Sequence, residues 1–179
     1  MAARAKRHER TVARESALAL LYSSDITDES VADIVDAGQY PADDIEFAPY
    51  AEALVRGVQA HRAEIDERLS STSENWTLDR MPVVDRAILR LAVYEMIYVD
   101  EVPVSVTINE AVELAKAYGG EDDSSRFVNG VLGRIAAGID AEASSEVADS
   151  AQGSNVEDAE ASSEVAGDEI LEGSEPKED

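Results

Sequence analysis

The N-terminus of this sequence concentrates basic side chains that could bind a polyanion. They are Arg4, Lys6, Arg7, Arg10 and Arg14, with a single acid among them. If a first helix starts near residue 9, Arg10 and Arg14 share one face, and the three earlier side chains lie in a flexible basic arm. Guanidinium groups offer several donors in a fixed plane to phosphates and also stack on nucleobases. The alternative is a solvated terminus that only aids solubility.

A second candidate anion site is the predicted turn YGGEDDSSRFVN. Glycines, Ser125 and Asn129 offer donors at a predicted helix N-terminus, which is a place that suits anions. Arg126 adds positive charge, and Tyr118 and Phe127 could stack on unpaired bases. In the alternative interpretation, Phe127 is a core residue and Asn129 makes a capping or interhelical hydrogen bond.

Arg86 and Arg90 form a third basic cluster, one turn apart in an apolar stretch. Either they reach a ligand, or they form salt bridges with neighbouring side chains. Glu95 falls near the buried stripe of the same stretch. Because a buried carboxylate needs a hydrogen-bond donor, we expect one close by, near Asn109.

The common catalytic motifs are missing from the sequence. It contains no P-loop, HExxH or GxSxG pattern, and no GxGxxG after a strand. Glu110 and Glu113 could share a helix face, as paired carboxylates in acid–base and metal sites do, but Thr107 and Glu110 fit a helix capping box better. The two histidines, His8 and His61, lie far apart. We therefore predict no enzyme, no metal site and no cofactor.

Length and composition indicate one domain outside the membrane. The chain has 179 residues, enough for one hydrophobic core, and no cysteine for a disulfide. No apolar run approaches the roughly 20 residues of a membrane-spanning helix. The N-terminus lacks the apolar segment of a secretory signal. We predict a soluble, cytoplasmic protein.

The net charge of −24 is unevenly distributed along the chain. Residues 140–179 hold 14 acids and one lysine, a net of −13, and contain the unit AEASSEVA twice. Such a segment buries too little apolar area to offset the entropy of ordering, so we predict a disordered acidic tail. The tail is either a passive solubiliser or a competitor that folds back onto the basic N-terminus. Only in the second case would its deletion tighten polyanion binding at low salt.

Residues 1–139 show apolar residues at helical spacing and no sustained period of two. The pattern predicts an all-α domain of six helices, preceded by the basic arm of residues 1–10. The helices run from near Glu9 to Ser23, from Asp28 to a stop at Gly38, from Phe47 to Leu69, from Pro82 to Tyr98, from a cap at Thr107 to Gly119, and from a cap at Ser124 or Ser125 to Gly138. The segment SSTSENWT is a predicted loop, with Trp76 packed beneath it.

Four segments, in this order and at these distances, resemble the NusB family. They are RESALALLY, DRAILRLAVYE, PVSVTINEAVELAK and RFVNGVL, and the resemblance covers about residues 11–137. It implies a compact helical bundle of two small helical subdomains. It also implies binding of boxA, a single-stranded RNA element of ribosomal RNA transcripts, together with the small-subunit ribosomal protein NusE. With other antitermination factors, such a protein helps RNA polymerase to read through terminators. Some family members are dimers, so a homodimer stays open.

The resemblance also implies roles for individual residues. Positions that match the family's RNA surface are Lys6, Arg7, Arg10, Arg14, Arg86, Tyr118, Arg126 and Phe127, and positions that match its NusE surface are Tyr22 and Asp85. One departure is that Thr11 and Val12 interrupt the family's run of arginines, which predicts weak RNA affinity without NusE.

Two other functions compete with this one. The first is a helical protein-interaction module that does not bind RNA. Salt dependence separates the two, because about four phosphate contacts on a single strand predict a log–log slope near −3. The second is an RNA cytosine methyltransferase with a NusB-like domain. We disfavour it, because only an acidic tail follows residue 139 and a methyltransferase would need an α/β domain there.

Overall fold

The computed structural model describes the backbone of residues 2–38, 48–72, 77–120 and 123–153, and their side chains between residues 5 and 145. These ranges hold helices and no strand, so the predicted all-α fold is confirmed. The helices are α1 (Ala2–Thr27), α2 (Val31–Ala37), α3 (Pro49–Ala60), α4 (Arg62–Thr72), α5 (Val83–Tyr98), α6 (Val104–Tyr118) and α7 (Ser124–Gly153), with a 3-10 turn at Leu78–Arg80. The chain divides into two units, Met1–Asp140 and Ala141–Asp179.

Helix α5 lies at the centre of the first unit, packed against α1, α3, α4 and α6. It is apolar on more than one face, as expected of a helix that is surrounded by others. Its buried apolar residues are Ala87, Ile88, Leu89, Leu91, Ala92, Val93 and Met96. In α7, an apolar stripe at helical spacing joins the same core through Val128, Val131, Leu132 and Ile135. The core therefore forms around one helix that also carries buried charges.

Short local signals set several helix ends. The Ser30 side chain accepts a hydrogen bond from the backbone of Ala32 at the start of α2, and the predicted stop at Gly38 is confirmed by its left-handed φ of 64°. Pro82 and Pro103 immediately precede α5 and α6, where a residue without an N–H donor does no harm.

Three predictions for the middle of the first unit are wrong. The third helix is interrupted at His61, so that α3 and α4 are separate. The predicted cap at Thr107 lies inside α6, because Pro103 already starts that helix at Val104. The predicted loop after Leu69 begins late, since α4 continues to Thr72, and Trp76 lies outside the described residues.

Helices α1 and α7 are both longer than predicted. Helix α1 begins at Ala2, so Lys6 and Arg7 lie in a helix and not in a flexible arm. Hydrogen bonds from Lys6 and Arg10 to Glu101 fasten these first turns to the turn between α5 and α6. Helix α7 continues to Gly153 without a break at the predicted tail boundary, and residues 154–179 of the predicted tail lie outside the described residues.

Candidate nucleic-acid interface

The basic side chains of α1 follow one helix face from solvent into the core. Arg7, Arg10 and Arg14 are spaced three and four residues apart, so they share that face. Their side chains are 76%, 18% and 5% exposed, respectively. Lys6 is exposed beside them, and the side chain of Arg4 lies outside the described residues. Only the first turns of the stripe can therefore meet a ligand directly.

The exposed end of the stripe contacts an acid on the turn between α5 and α6. The Glu101 carboxylate accepts hydrogen bonds from Arg10 Nη2 at 2.6 Å and from Lys6 Nζ at 3.4 Å. The Arg10 hydrogen bond and the Lys6 charge lower the pKa of Glu101, so this carboxylate is ionised at neutral pH. The Arg10 guanidinium also lies 5.0 Å from the ring centroid of Tyr50, within range of a cation–π contact.

The buried end of the stripe is an ion-pair cluster. Arg14 Nε donates to the two carboxylate oxygens of Glu95 at 2.9 and 3.1 Å, Nη2 forms an ion pair with the same carboxylate at 2.8 Å, and Nη1 donates to Glu110 at 3.3 Å. The Tyr50 hydroxyl also donates to Glu95, and the Thr11 hydroxyl donates to Glu110 at 2.8 Å. Burial and the Glu95 hydrogen bond raise the pKa of Tyr50, which keeps this hydroxyl a neutral donor.

This cluster corrects three predictions. Glu95 does have the expected donor, but that donor is Arg14 and not a group near Asn109. Glu110 is an ion-pair partner in the middle of α6 and not a capping acid. A direct RNA contact by Arg14 does not fit its position, because a guanidinium committed to two carboxylates inside the domain cannot reach phosphate. Its place in α1 instead suits a positioning role.

Arg86 is committed to a second ion cluster between α1 and α5. It donates to Asp25 at 3.2 Å and to the Leu78 carbonyl at 3.1 Å, while Arg90 donates to Asp25 at 2.7 Å. Burial alone would raise the pKa of Asp25, but the charges of Arg90 and of the neighbouring Arg62 and Arg86 lower it. The salt-bridge interpretation of Arg86 and Arg90 is therefore the one that the structure supports, and a direct RNA contact by Arg86 does not fit.

The turn between α6 and α7 is fastened to the start of α5. The Ser124 hydroxyl donates to Asp85 Oδ2 at 3.0 Å, and Asp85 is buried. A side chain on Gly119 would collide with Ser124 and with the Ala115 carbonyl, so the turn requires a glycine there. Direct contact of Asp85 with a partner protein does not fit this burial. Tyr22, the other predicted partner position, is exposed on α1.

The other predicted RNA-binding residues surround this turn, and several of their side chains are exposed to solvent. Tyr118 is exposed at the end of α6, and Arg126 is exposed and donates to Asp123 Oδ1 at 3.0 Å. Asn129 is exposed on α7, whereas Ser125 is partly buried. Phe127 is also partly buried and packs against the core, which leaves part of its ring accessible.

The two groups of candidate RNA contacts, the basic end of α1 and the residues around the turn between α6 and α7, lie at opposite ends of α6. Glu101, which contacts the basic end of α1, precedes this helix, and Tyr118 ends it. The 15 residues of α6 span about 22 Å at 1.5 Å per residue. A compact ligand cannot touch both clusters, but an extended strand of several nucleotides can.

Two residues of this surface, Tyr50 and Glu101, are not among the candidates that the sequence identifies. Their partners on α1 lie far away in sequence, and Arg10 and Glu101 are 91 positions apart. No local spacing signals a contact of this kind.

In the described ranges, no helix is long and apolar enough to cross a membrane, and no three potential ligand side chains are grouped to hold a metal ion.

Comparisons with known proteins agree with this architecture. The NusB family model matches residues 11–137. Transcription antitermination protein NusB of Bacillus subtilis (strain 168) is 45% identical over 132 residues, 74% of this chain and 98% of that protein. Its counterpart from Anaeromyxobacter sp. (strain Fw109-5) is 49% identical over 136 residues, 75% of this chain and 94% of that protein.

Solved structures extend the likeness to the fold. T. maritima NusB shares 37% identity and a TM-score of 0.63, over 71% of this chain and 89% of that one. A crystal structure of antitermination factors NusB and NusE in complex with dsRNA gives 30% identity and a TM-score of 0.57, over 70% of this chain and 94% of that one. Sequence and fold thus agree along nearly the whole of the first unit, and this chain belongs to the NusB family.

Proposed function

We propose that this protein binds a single-stranded boxA-type RNA together with NusE in the cytoplasm. With other antitermination factors, it would help RNA polymerase to read through terminators in ribosomal RNA transcripts. The observation that carries the proposal is the basic end of α1, where Lys6 and Arg7 are exposed in a chain of net charge −24. A locally basic surface on an acidic protein favours a selective polyanion contact over general adhesion.

The proposed RNA path joins the two clusters along α6. Lys6, Arg7 and Arg10 would contact phosphates at one end, where Arg10 exchanges its bond to Glu101 for a phosphate oxygen. Tyr118 and Phe127 would stack on unpaired bases at the other end, which is how proteins commonly hold single-stranded RNA. The remaining candidates at the two ends are Arg4, Ser125, Arg126 and Asn129. Arg14 and Arg86 would position the helices without touching RNA.

A separate surface would receive NusE. Tyr22 and Ile26 are one turn apart on α1, and both are exposed although they are large and apolar. In support, a structural relative is described as a complex of NusB with NusE. Asp85 would act indirectly, by holding Ser124 and so the turn between α6 and α7.

The test is fluorescence anisotropy of a labelled boxA-type RNA, with and without NusE and with a base-scrambled RNA as control. We expect selective binding that tightens with NusE and a log–log salt slope near −3, corresponding to about four phosphate contacts. Lys6→Ala and Arg7→Ala should each reduce the magnitude of the slope by about 0.7. Arg56→Ala, which removes a partly exposed arginine that pairs with Asp36 and Glu52, should leave binding unchanged.

Two outcomes would redirect the proposal. Since the relative in complex with NusE holds dsRNA, a matched duplex is tested beside the single strand. Tighter binding of the duplex would overturn the single-stranded assignment. Binding of NusE without any RNA binding would favour the protein-interaction module.

A further inference from the structure

We propose that Glu101 is a built-in competitor of RNA at the basic end of α1 and so sets the RNA affinity of this surface. This inference rests on the proposed RNA-binding function. The Glu101 carboxylate occupies the donors of Arg10 and Lys6 that a phosphate would use. An RNA strand must therefore displace the Glu101 carboxylate before one of its phosphates can bind these donors.

The backbone delivers this carboxylate to a defined position. Glu101 lies in the short turn between Tyr98, the last residue of α5, and Pro103, which precedes α6. Val102, next to it, is buried, and its backbone N–H donates to the Val99 carbonyl at 3.0 Å. The turn is thus anchored in the core on one side while the Glu101 side chain extends into solvent against α1.

The chemistry of the contact makes it exchangeable. Carboxylate and phosphate oxygens are both preferred acceptors for guanidinium and ammonium groups. The lowered pKa of Glu101 keeps it charged at neutral pH, so it opposes an incoming phosphate. Because the side chain of Glu101 is 70% exposed, water can solvate it once it is displaced. A salt bridge of this exposed kind is weak enough to yield to a stronger ligand.

Glu110, the other acid that faces the basic stripe, cannot act in the same way. It is buried and receives Arg14 and Thr11 besides a longer contact from Arg7 at 3.8 Å. Its displacement would remove a carboxylate partner from the buried Arg14 guanidinium, which is costly. Among the described residues that pair with the basic end of α1, Glu101 is therefore the exchangeable acid.

The test compares RNA binding by the wild type, Glu101→Gln and Asp36→Asn. Asp36 is a matched control, because its side chain is 68% exposed and also pairs with an arginine, Arg56 at 2.6 Å, but it lies on α2 and not on the proposed RNA path. We expect Glu101→Gln to tighten RNA binding about threefold to tenfold at low salt, as for removal of one negative charge about 5 Å from a phosphate in a solvent-like medium.

The gain should be the same for boxA-type and scrambled RNA, since phosphate contacts carry no sequence information. Asp36→Asn should bind as the wild type does. Unchanged or weaker binding by Glu101→Gln, or equal tightening by Asp36→Asn, overturns the competitor role. If Arg7→Ala still weakens binding in that case, the proposed function stands. Absence of RNA binding by all three proteins overturns the proposed function and the competitor role together.

Discussion

Replacement of Arg14 by methionine tests whether the buried end of the basic stripe is structural. Arg14 donates to Glu95 at 2.9 and 3.1 Å and to Glu110 at 3.3 Å, and all three side chains are buried. Removing one partner of a buried ion pair costs about 3–5 kcal/mol. Tyr50 and Thr11 still donate to the two carboxylates, so we expect the lower end, about 3 kcal/mol.

The assay is urea unfolding followed by helical circular dichroism. With a typical slope of about 2 kcal/mol per M, the midpoint should fall by about 1.5 M. The double variant Arg14→Met/Glu95→Gln should regain part of this loss, because its second substitution removes the stranded charge. Lys116→Met breaks an exposed pair with Glu113 and should change little. A loss in Arg14→Met as small as that of this control would refute the buried ion-pair argument.

Three further predictions test other parts of the fold. Asp25 has a lowered pKa in the folded state. Its contribution to stability is therefore full above its unfolded pKa, near 3.8, and is lost as the pH falls through the folded pKa. The unfolding free energies of the wild type and Asp25→Asn should converge in acid. A Cβ on Gly57 would collide with the Tyr94 ring, so Gly57→Ala should cost about 1–3 kcal/mol in thermal unfolding, whereas Gly130→Ala, in open space on α7, should be neutral or slightly stabilising. The Thr107 hydroxyl is buried without a hydrogen-bond partner among the described residues, and Thr107→Val should keep or raise the unfolding midpoint; a clear loss would reveal a bond to that hydroxyl.

The sequence predicted those features that local signals determine. Apolar spacing located α5, and Gly38 and Pro82 marked helix ends, because capping and φ restriction act within a few residues. The same logic failed at Thr107, where a four-residue capping pattern was overridden by a proline four positions earlier. It also failed at the start of α1, since the first turns have no apolar stripe and are held by ion pairs to a distant turn.

The candidate site was harder to predict because residue type does not determine burial. Arg7 and Arg14 are the same residue on one helix face, yet one is exposed and the other is buried. The difference arises from Glu95 and Glu110, which lie 81 and 96 residues beyond Arg14 in sequence. For Arg86 the sequence left a ligand contact and a salt bridge both open, because its partner Asp25 is 61 residues away. Only the fold reveals which cations are already paired.

The central position of α5 has a consequence for synthesis of the chain. The N-terminal helix α1 needs α5 to neutralise Arg14 and Asp25, but 71 residues separate Thr27, where α1 ends, from Tyr98, where α5 ends. At about 5–20 residues per second, a ribosome adds them in about 4 to 14 s. During that interval Arg14 lacks both of its buried carboxylate partners, and α1 can pack only against α2 and α3 and not against the central helix. The domain can therefore complete its fold only late in translation, after more than half of the chain has been made.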